Sequence, residues 1–193
     1  MIIRKAEEKD IKNICTLHAH AFNEDHFTST LSNSSLSKFY STLFKYNNYN
    51  FVAYDENNIL IGFVVAGNKT NHAIDIFIKD NYHVLLLALL KHPQFLFKKI
   101  AGLLKKIITK SKPSKVEMRL LSIAVSKNSK EKGIGTALIE YLEENLRKNE
   151  IYSYGLSVKK SNSNAIKFYD KNNFKIESEE KNALYYLKNL NAN

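Results

Sequence analysis

Apolar residues recur along the chain with two different spacings, and each spacing predicts one kind of element. Short runs rich in branched and aromatic residues, bounded by polar turns, are typical of strands. The predicted strands cover residues 1–6, 49–54, 59–66, 116–125, 152–158, 174–177 and 183–187. Apolar residues three and four positions apart predict helices over 10–22, 29–44, 82–91, 95–108, 136–148 and 162–171. Asp10 is the expected N-cap of the first helix, and an interruption near residues 32–35 is expected in the second.

The segment 68–114 is predicted to be a helical insertion. Its second predicted helix, 95–108, carries apolar residues on one side and lysines on the other. A basic amphipathic helix of this kind can lie on an anionic membrane. We favour the alternative, a helix packed on the domain with its lysines in solvent. A lid over a binding site or a dimer contact would both be compatible with it.

Composition and charge narrow the classes of protein. The chain has 193 residues, 44% of them hydrophobic, and 29 Lys and Arg against 19 Asp and Glu give a net charge of +10. This charge invites a nucleic-acid or polyanion partner, although lysine is frequent throughout the sequence. Cys15 is the only cysteine, so an internal disulfide and a cysteine zinc cluster are excluded. With neither a signal-peptide core nor an apolar run of transmembrane length, we expect a cytoplasmic protein.

A strand, a glycine-bearing loop and a helix follow one another between residues 116 and 148. Glycines let the backbone approach a ligand closely, and the first helical turn offers unpaired N–H groups at the positive end of the helix dipole. This arrangement is suited to holding phosphate. The segment Lys130-Glu131-Lys132-Gly133-Ile134-Gly135 lacks the lysine of a P-loop and the third glycine of a dinucleotide fingerprint. It reads as K-x-x-G-x-G.

A second block lies downstream at a matching spacing. It consists of Leu156-Ser157-Val158, then Asn162-x-x-Ala165-Ile166-x-x-Tyr169, then Asn173-Phe174. Together the two blocks resemble the acetyl-CoA-binding motifs of the GNAT N-acetyltransferases. Lys130 stands where that family usually has Gln or Arg. Asn173 stands where it usually has Gly, and Asn is the side chain that best tolerates the left-handed backbone after Gly.

The resemblance implies a fold, a cofactor and site residues. The expected fold is α/β (α+β), a GNAT acyltransferase fold with a mixed, twisted central sheet flanked by helices. We expect one domain over 1–193 with the insertion before the central strand. The cofactor is acetyl-CoA (coenzyme A), with no metal. The residues expected to hold it are Ile123, Ala124, Val125, Lys130, Glu131, Lys132, Gly133, Ile134, Gly135, Thr136, Asn162 and Tyr169.

Tyr169 and Glu117 are the catalytic candidates. By family analogy Tyr169 is the general acid that protonates the departing thiolate, and a core tyrosine is the alternative. Several family members carry a glutamate where this chain has Arg119. Glu117, two residues earlier and of the same strand parity, is a candidate base, and a solvated strand carboxylate is the alternative. Arg119 could instead bind an acidic acceptor group, and the loop histidines His26 and His72 could approach the acceptor. The base remains unassigned at this stage.

The sequence therefore predicts an N-acetyltransferase that moves an acetyl group from acetyl-CoA to a primary amine by direct attack in a ternary complex. The expected acceptor is a small-molecule amine, with an amino sugar as one expectation, and a drug or a protein N-terminus stays open. We expect a monomer or homodimer, no nucleic-acid partner and no stable membrane insertion. Two alternatives stay open: a non-catalytic acyl-CoA-binding module, and a basic protein that binds nucleic acid or a membrane surface.

Overall fold

The computed structural model describes residues 1–22, 27–91, 114 and 116–191. Within these ranges seven strands form one sheet in the order β1-β2-β3-β4-β5-β7-β6. β4 and β5 are parallel, whereas the other neighbours are antiparallel, so the sheet is mixed as predicted. The strands are β1 (Ile2–Lys5), β2 (Tyr49–Tyr54), β3 (Leu60–Gly67), β4 (Arg119–Val125), β5 (Ser153–Lys159), β6 (Lys175–Glu179) and β7 (Ala183–Asn189).

Helices cover both faces of this sheet. They are α1 (Ile11–Ala21), α2 (Asn33–Tyr46), α3 (Thr70–Asp80), α4 (Tyr82–Lys91), α5 (Ile134–Lys148) and α6 (Ser163–Lys171), with 3-10 turns at Glu8–Asp10 and Phe27–Thr30. α3 was not predicted as a separate helix. The predicted helix 95–108 lies outside the described residues.

Two predicted boundaries are wrong by two or three residues. β4 begins at Arg119 rather than at Val116, so Glu117 precedes the strand. α5 begins at Ile134 rather than Thr136, because Gly133 adopts a left-handed φ of 77° and caps the helix there. The predicted tolerance of Asn173 for the left-handed region is confirmed by its φ of 64°.

Two predicted helix starts are confirmed in position but not in detail. Asp10 is the N-cap residue of α1, yet it makes no side-chain cap bond. Its carboxylate is instead buried and accepts hydrogen bonds from Arg4, the Glu7 N–H and the Tyr54 hydroxyl. The second helical region is interrupted at residues 31–32, between the 3-10 turn and α2. Residues 33–35 form the first turn of α2, which Ser32 caps by accepting a hydrogen bond from the Ser35 N–H.

Apolar side chains form one core on each face of the sheet. α5 buries Leu138, Leu142 and Leu146 on one face. α1 and α2 bury Ile14, Tyr40 and Leu43 on the other, and α3 packs against α2 there.

Gly62 sets how closely α5 approaches the sheet. A Cβ at this position would lie 2.9 Å from Ile134 Cγ2 and 2.9 Å from Leu138 Cδ1. The β2–β3 register also shifts beside Gly62, and a glycine inside a strand often marks such a bulge or close approach. The absent side chain lets the first turn of α5 rest on β3, which places the glycine loop at the end of β4.

Candidate active site

The parallel strands β4 and β5 are neighbours in the sheet but pair at one register position, Arg119 with Gly155. The Gly155 N–H donates to the Met118 carbonyl at 3.0 Å. Beyond this point β4 stays paired with β3 as far as Val125, and β5 stays paired with β7 as far as Lys159. The facing edges of β4 and β5 therefore separate towards their C-terminal ends. Such an opening can accept an extended ligand by strand-like hydrogen bonds.

A bulge in β4 lies at the start of this opening. Val65 pairs with Ser122 and Ala66 pairs with Leu120, so Leu121 has no partner in the β3–β4 register. A bulge bends its strand and increases the local twist. Here it lies where β4 begins to diverge from β5, and the sequence offered no signal for it.

A cavity of about 460 Å³ fills the opening between the two strands. Six predicted cofactor-binding residues line it: Ile123, Ala124, Val125, Gly135, Asn162 and Tyr169. A second, more polar cavity of about 440 Å³ adjoins it and is lined by Lys127, Lys159 and Ser161 among others. The structure thus brings the two sequence blocks together on one cleft, with lysine side chains near its mouth.

The glycine loop stands at the end of this cleft. Its first-turn N–H groups have no partner inside the helix. At Gly135 a Cβ would lie 3.0 Å from Phe168 Cε2, so a side chain there would crowd the cleft wall. Among the other loop residues, Ile134 is buried, Glu131 and Thr136 are half-buried, and Lys130, Lys132 and Gly133 are exposed. These six do not line the cavity, so any contact they make with a ligand would come from the loop outside it.

Asn162 and Tyr169 lie on the opposite wall of the cleft. The Asn162 side-chain oxygen accepts a hydrogen bond from the Ala165 N–H at 3.1 Å and caps α6, so only its amide nitrogen can serve a ligand. Tyr169 is 7% exposed. Burial raises the pKa of its hydroxyl above the ordinary value of 10.0. Tyr169 therefore stays protonated at neutral pH.

The other predicted polar residues lie away from the cleft. Glu117 is exposed in a bend before β4, so the expectation that it shares strand parity with Arg119 is wrong. Arg119 sits at the closed end of the opening, where its Nη1 atom is buried without a hydrogen-bond partner. Burial lowers the pKa of Arg119, while the Glu177 carboxylate acts in the opposite direction. His72 lies in α3 rather than in a loop, and His26 is outside the described residues.

A further cavity of about 510 Å³ lies on the face of the sheet covered by α1 and α2. It shares Phe22, Leu121 and Ser122 with the cleft between β4 and β5. Sequence reasoning missed it because its walls come from α1, α2, α3, α4 and β4. The apolar spacing of Ile74, Phe77 and Ile78 was the available signal, but that spacing does not distinguish a cavity wall from packed core.

Sequence reasoning also missed a buried hydrogen-bonded chain beside this cavity. The His18 Nδ1 atom lies 2.7 Å from the Tyr40 hydroxyl, and its Nε2 atom lies 3.0 Å from the Thr28 hydroxyl. Ser122 lines the same cavity as these three residues. Burial raises the pKa of Tyr40 well above its ordinary value, so its hydroxyl stays neutral beside the imidazole.

Metal sites and membrane-spanning helices are both absent from the described ranges. No cluster of three or more His, Cys, Asp or Glu side chains there is placed to hold a metal ion. None of the helices in that part of the chain is both long and apolar enough to cross a membrane.

Solved structures of similar fold include proteins named as N-acetyltransferases. Ard1 from Thermoplasma volcanium has a TM-score of 0.60 and 18% identity, over 98% of this chain and 97% of that chain. The PaiA N-acetyltransferase from Thermoplasma acidophilum, solved in complex with coenzyme A, has a TM-score of 0.59 and 18% identity, over 97% and 98% of the two chains. An N-acetyltransferase from Staphylococcus aureus Mu50 gives 0.60 and 17%, over 98% of each chain.

At this level of identity the structural likeness shows the fold alone. No protein with a curated description is significantly similar to this chain in sequence. The sequence model of the acetyltransferase (GNAT) family, however, matches residues 11–174, which include the glycine loop, the diverging strands and Tyr169. The chain therefore belongs to the GNAT acetyltransferase family.

Proposed function

We propose that this protein transfers an acetyl group from acetyl-CoA to a primary amine by direct attack. The observation that carries the proposal is the opening between β4 and β5, which is lined by Gly135 and Tyr169 among others and shares Phe22, Leu121 and Ser122 with the cavity under α1 and α2. A cofactor cleft and an acceptor cavity that meet at one point are what a ternary-complex reaction requires.

Different described residues would bind different parts of the cofactor. Backbone N–H groups from Lys130 to Thr136 would bind the pyrophosphate at the start of α5. The edge of β4 from Ile123 to Val125 would hydrogen-bond the pantetheine arm as an added strand, and an N–H there would polarise the thioester carbonyl. The Asn162 amide nitrogen would donate to the same arm. Lys127 and Lys159 add positive charge at the cleft mouth.

Tyr169 is the catalytic candidate that lines the cleft. The neutral amine forms the new C–N bond, the C–S bond breaks, and the thiolate takes a proton. The nitrogen releases one proton to a base or to solvent, so charge balances. Because burial opposes a tyrosinate, we assign Tyr169 first to hydrogen-bond donation to the developing thiolate, with proton transfer following. Glu117 lines none of the described cavities, so we do not assign it as the base.

A non-catalytic acyl-CoA-binding module remains the second candidate. It is favoured by the absence of Asp and Glu from the described residues that line the cleft and the neighbouring cavity. Binding of acetyl-CoA without turnover of any amine would identify this alternative.

Calorimetric titration of acetyl-CoA tests the proposal. We expect saturable binding by the wild type and none by Gly135→Glu, because the new carboxylate would crowd Phe168 and repel the pyrophosphate. Ile176→Glu is the matched control, since Ile176 is an exposed apolar residue on β6 that lines none of the described cavities, and it should bind like wild type. Absence of wild-type binding at millimolar cofactor would overturn the proposal. Attention would then turn to the basic-surface alternative, whose nucleic-acid binding would weaken with salt and ignore Gly135→Glu.

A further inference from the structure

We propose that the cavity between α1, α2, α3, α4 and β4 binds the acceptor, and that the acceptor is a primary amine with an aromatic or branched alkyl body. This inference rests on the proposed acetyl transfer and adds the substrate class. It replaces the expectation of an amino sugar.

The walls of this cavity are apolar. Four aromatic rings and a set of aliphatic side chains line it, and none of its described lining residues is Asp, Glu, Lys or Arg. The rings are Phe22, Phe39, Tyr40 and Phe77. A sugar presents hydroxyl groups on every side, and each would lose its water without gaining a partner. An aromatic or branched alkyl group instead gains stability from leaving water.

The few polar atoms lie at one end of the cavity. His18, Thr28, Tyr40 and Ser122 supply them, and His18 is hydrogen-bonded to both Thr28 and Tyr40. Ser122 also lines the cofactor cleft. The polar end of an acceptor would therefore lie at the junction, next to the β4 residues assigned to the thioester, while its apolar body fills the larger cavity. A volume of about 510 Å³ is within the usual range for small-molecule sites.

Kinetics with a panel of amines tests the substrate class. Release of the CoA thiol would be measured with 2-phenylethylamine, isoamylamine and glucosamine at saturating acetyl-CoA. We expect kcat/KM for the two apolar amines to exceed that for glucosamine by about tenfold or more. Ile74→Trp, which fills the cavity from α3, should raise KM for 2-phenylethylamine about tenfold and leave acetyl-CoA affinity unchanged. Ile176→Trp is its control. Equal or better use of glucosamine, or identical behaviour of the two variants, would overturn the inference.

A binding measurement makes the test independent of turnover. The chain contains no tryptophan, so Ile78→Trp at the cavity rim introduces a single fluorescent reporter. We expect its emission to change saturably with 2-phenylethylamine in the presence of CoA, while Ile176→Trp stays constant. No response from Ile78→Trp, together with no calorimetric binding of the amine to the CoA-loaded wild type, would reject the acceptor class. Failure of acetyl-CoA itself to bind would instead reject the proposed function.

Discussion

Burial decides what Tyr169 can do in the reaction. Its ring packs against Phe168 and Phe174 at centroid distances of 5.4 Å, and the residue lines the cleft although it is only 7% exposed. The raised pKa keeps the hydroxyl protonated at every pH up to its ordinary value of 10.0. The hydroxyl is therefore available as a donor throughout the physiological range.

Tyr169→Phe should lower kcat by about a hundredfold while acetyl-CoA binding stays near the wild-type value, because the lost group acts on the leaving thiolate. Steady-state kinetics with calorimetry of acetyl-CoA would measure both. Tyr152→Phe, at an exposed tyrosine, is the control. A wild-type kcat in the Tyr169→Phe variant would show that Tyr169 serves only as a packed residue of the core.

At the scale of single residues, the sequence predicted the cleft residues whose position follows directly from the local backbone. Gly135, Asn162 and Tyr169 stand at fixed spacings from a strand end or a helix start, so a motif locates them. The hydrogen bond between His18 and Tyr40 joins α1 to α2, and no local spacing in the sequence predicts it. Glu117 was proposed from strand parity, but β4 begins only at Arg119, so that argument does not hold and a role for Glu117 stays a prediction.

Among the elements, α5 is positioned by the missing side chain of Gly62. We expect Gly62→Ala to reduce the free energy of unfolding by about 1–3 kcal/mol, because Ile134 and Leu138 would have to move away from the new methyl group. Since Ile134 begins α5, the same change should weaken acetyl-CoA binding. Urea unfolding and calorimetry would measure the two effects. A variant as stable as wild type would show that α5 shifts freely on β3.

Asp10 joins β1, α1 and β2. Burial alone would raise the pKa of this carboxyl, but hydrogen bonds from Arg4, the Glu7 N–H and Tyr54 outweigh it, so the pKa falls below its ordinary value of 3.8. A lowered folded pKa means that the charged form stabilises the fold above the ordinary value. This contribution is lost as pH falls through the lowered value.

Asp10→Asn should therefore reduce the free energy of unfolding at pH 7 by about 1.5–3 kcal/mol. The difference from wild type should shrink as the pH falls below about 4. Urea unfolding between pH 7 and pH 3 would follow it, with the exposed Asp75→Asn as the control. A difference that stays constant with pH would show that Asp10 acts through packing rather than charge.

The order of strands and helices was predictable because each element carries its own period in the sequence. The features that the sequence did not predict have physical causes. The bulge at Leu121 depends on pairing with β3, and the separation of β4 from β5 depends on two distant segments. α3 was missed because its apolar residues are divided between two neighbours, α2 and the proposed acceptor cavity. The polar residues His72 and Asp75 stand between them and obscure the helical spacing.

At the scale of the whole molecule, the proposed reaction would place its two substrates in separate cavities. The cleft proposed for the cofactor lies between β4 and β5, and residues of α1, α2, α3, α4 and β4 line the cavity proposed for the acceptor. Leu121 and Ser122, at the bulge, line both. α3 and α4 contribute to the proposed acceptor cavity, whereas the two sequence blocks lie at the proposed cofactor cleft. On this proposal, acceptor choice could change without disturbing acetyl-CoA binding.

The separation of β4 and β5 also gives the sheet two edges in its interior. Strand edges can hydrogen-bond to extended segments of other chains and so promote association. In the cofactor-loaded enzyme the pantetheine arm would occupy these edges. Protein purified without cofactor should therefore associate more readily on storage than protein supplied with CoA. Light scattering would record the difference. Bound cofactor would then also protect the enzyme against self-association.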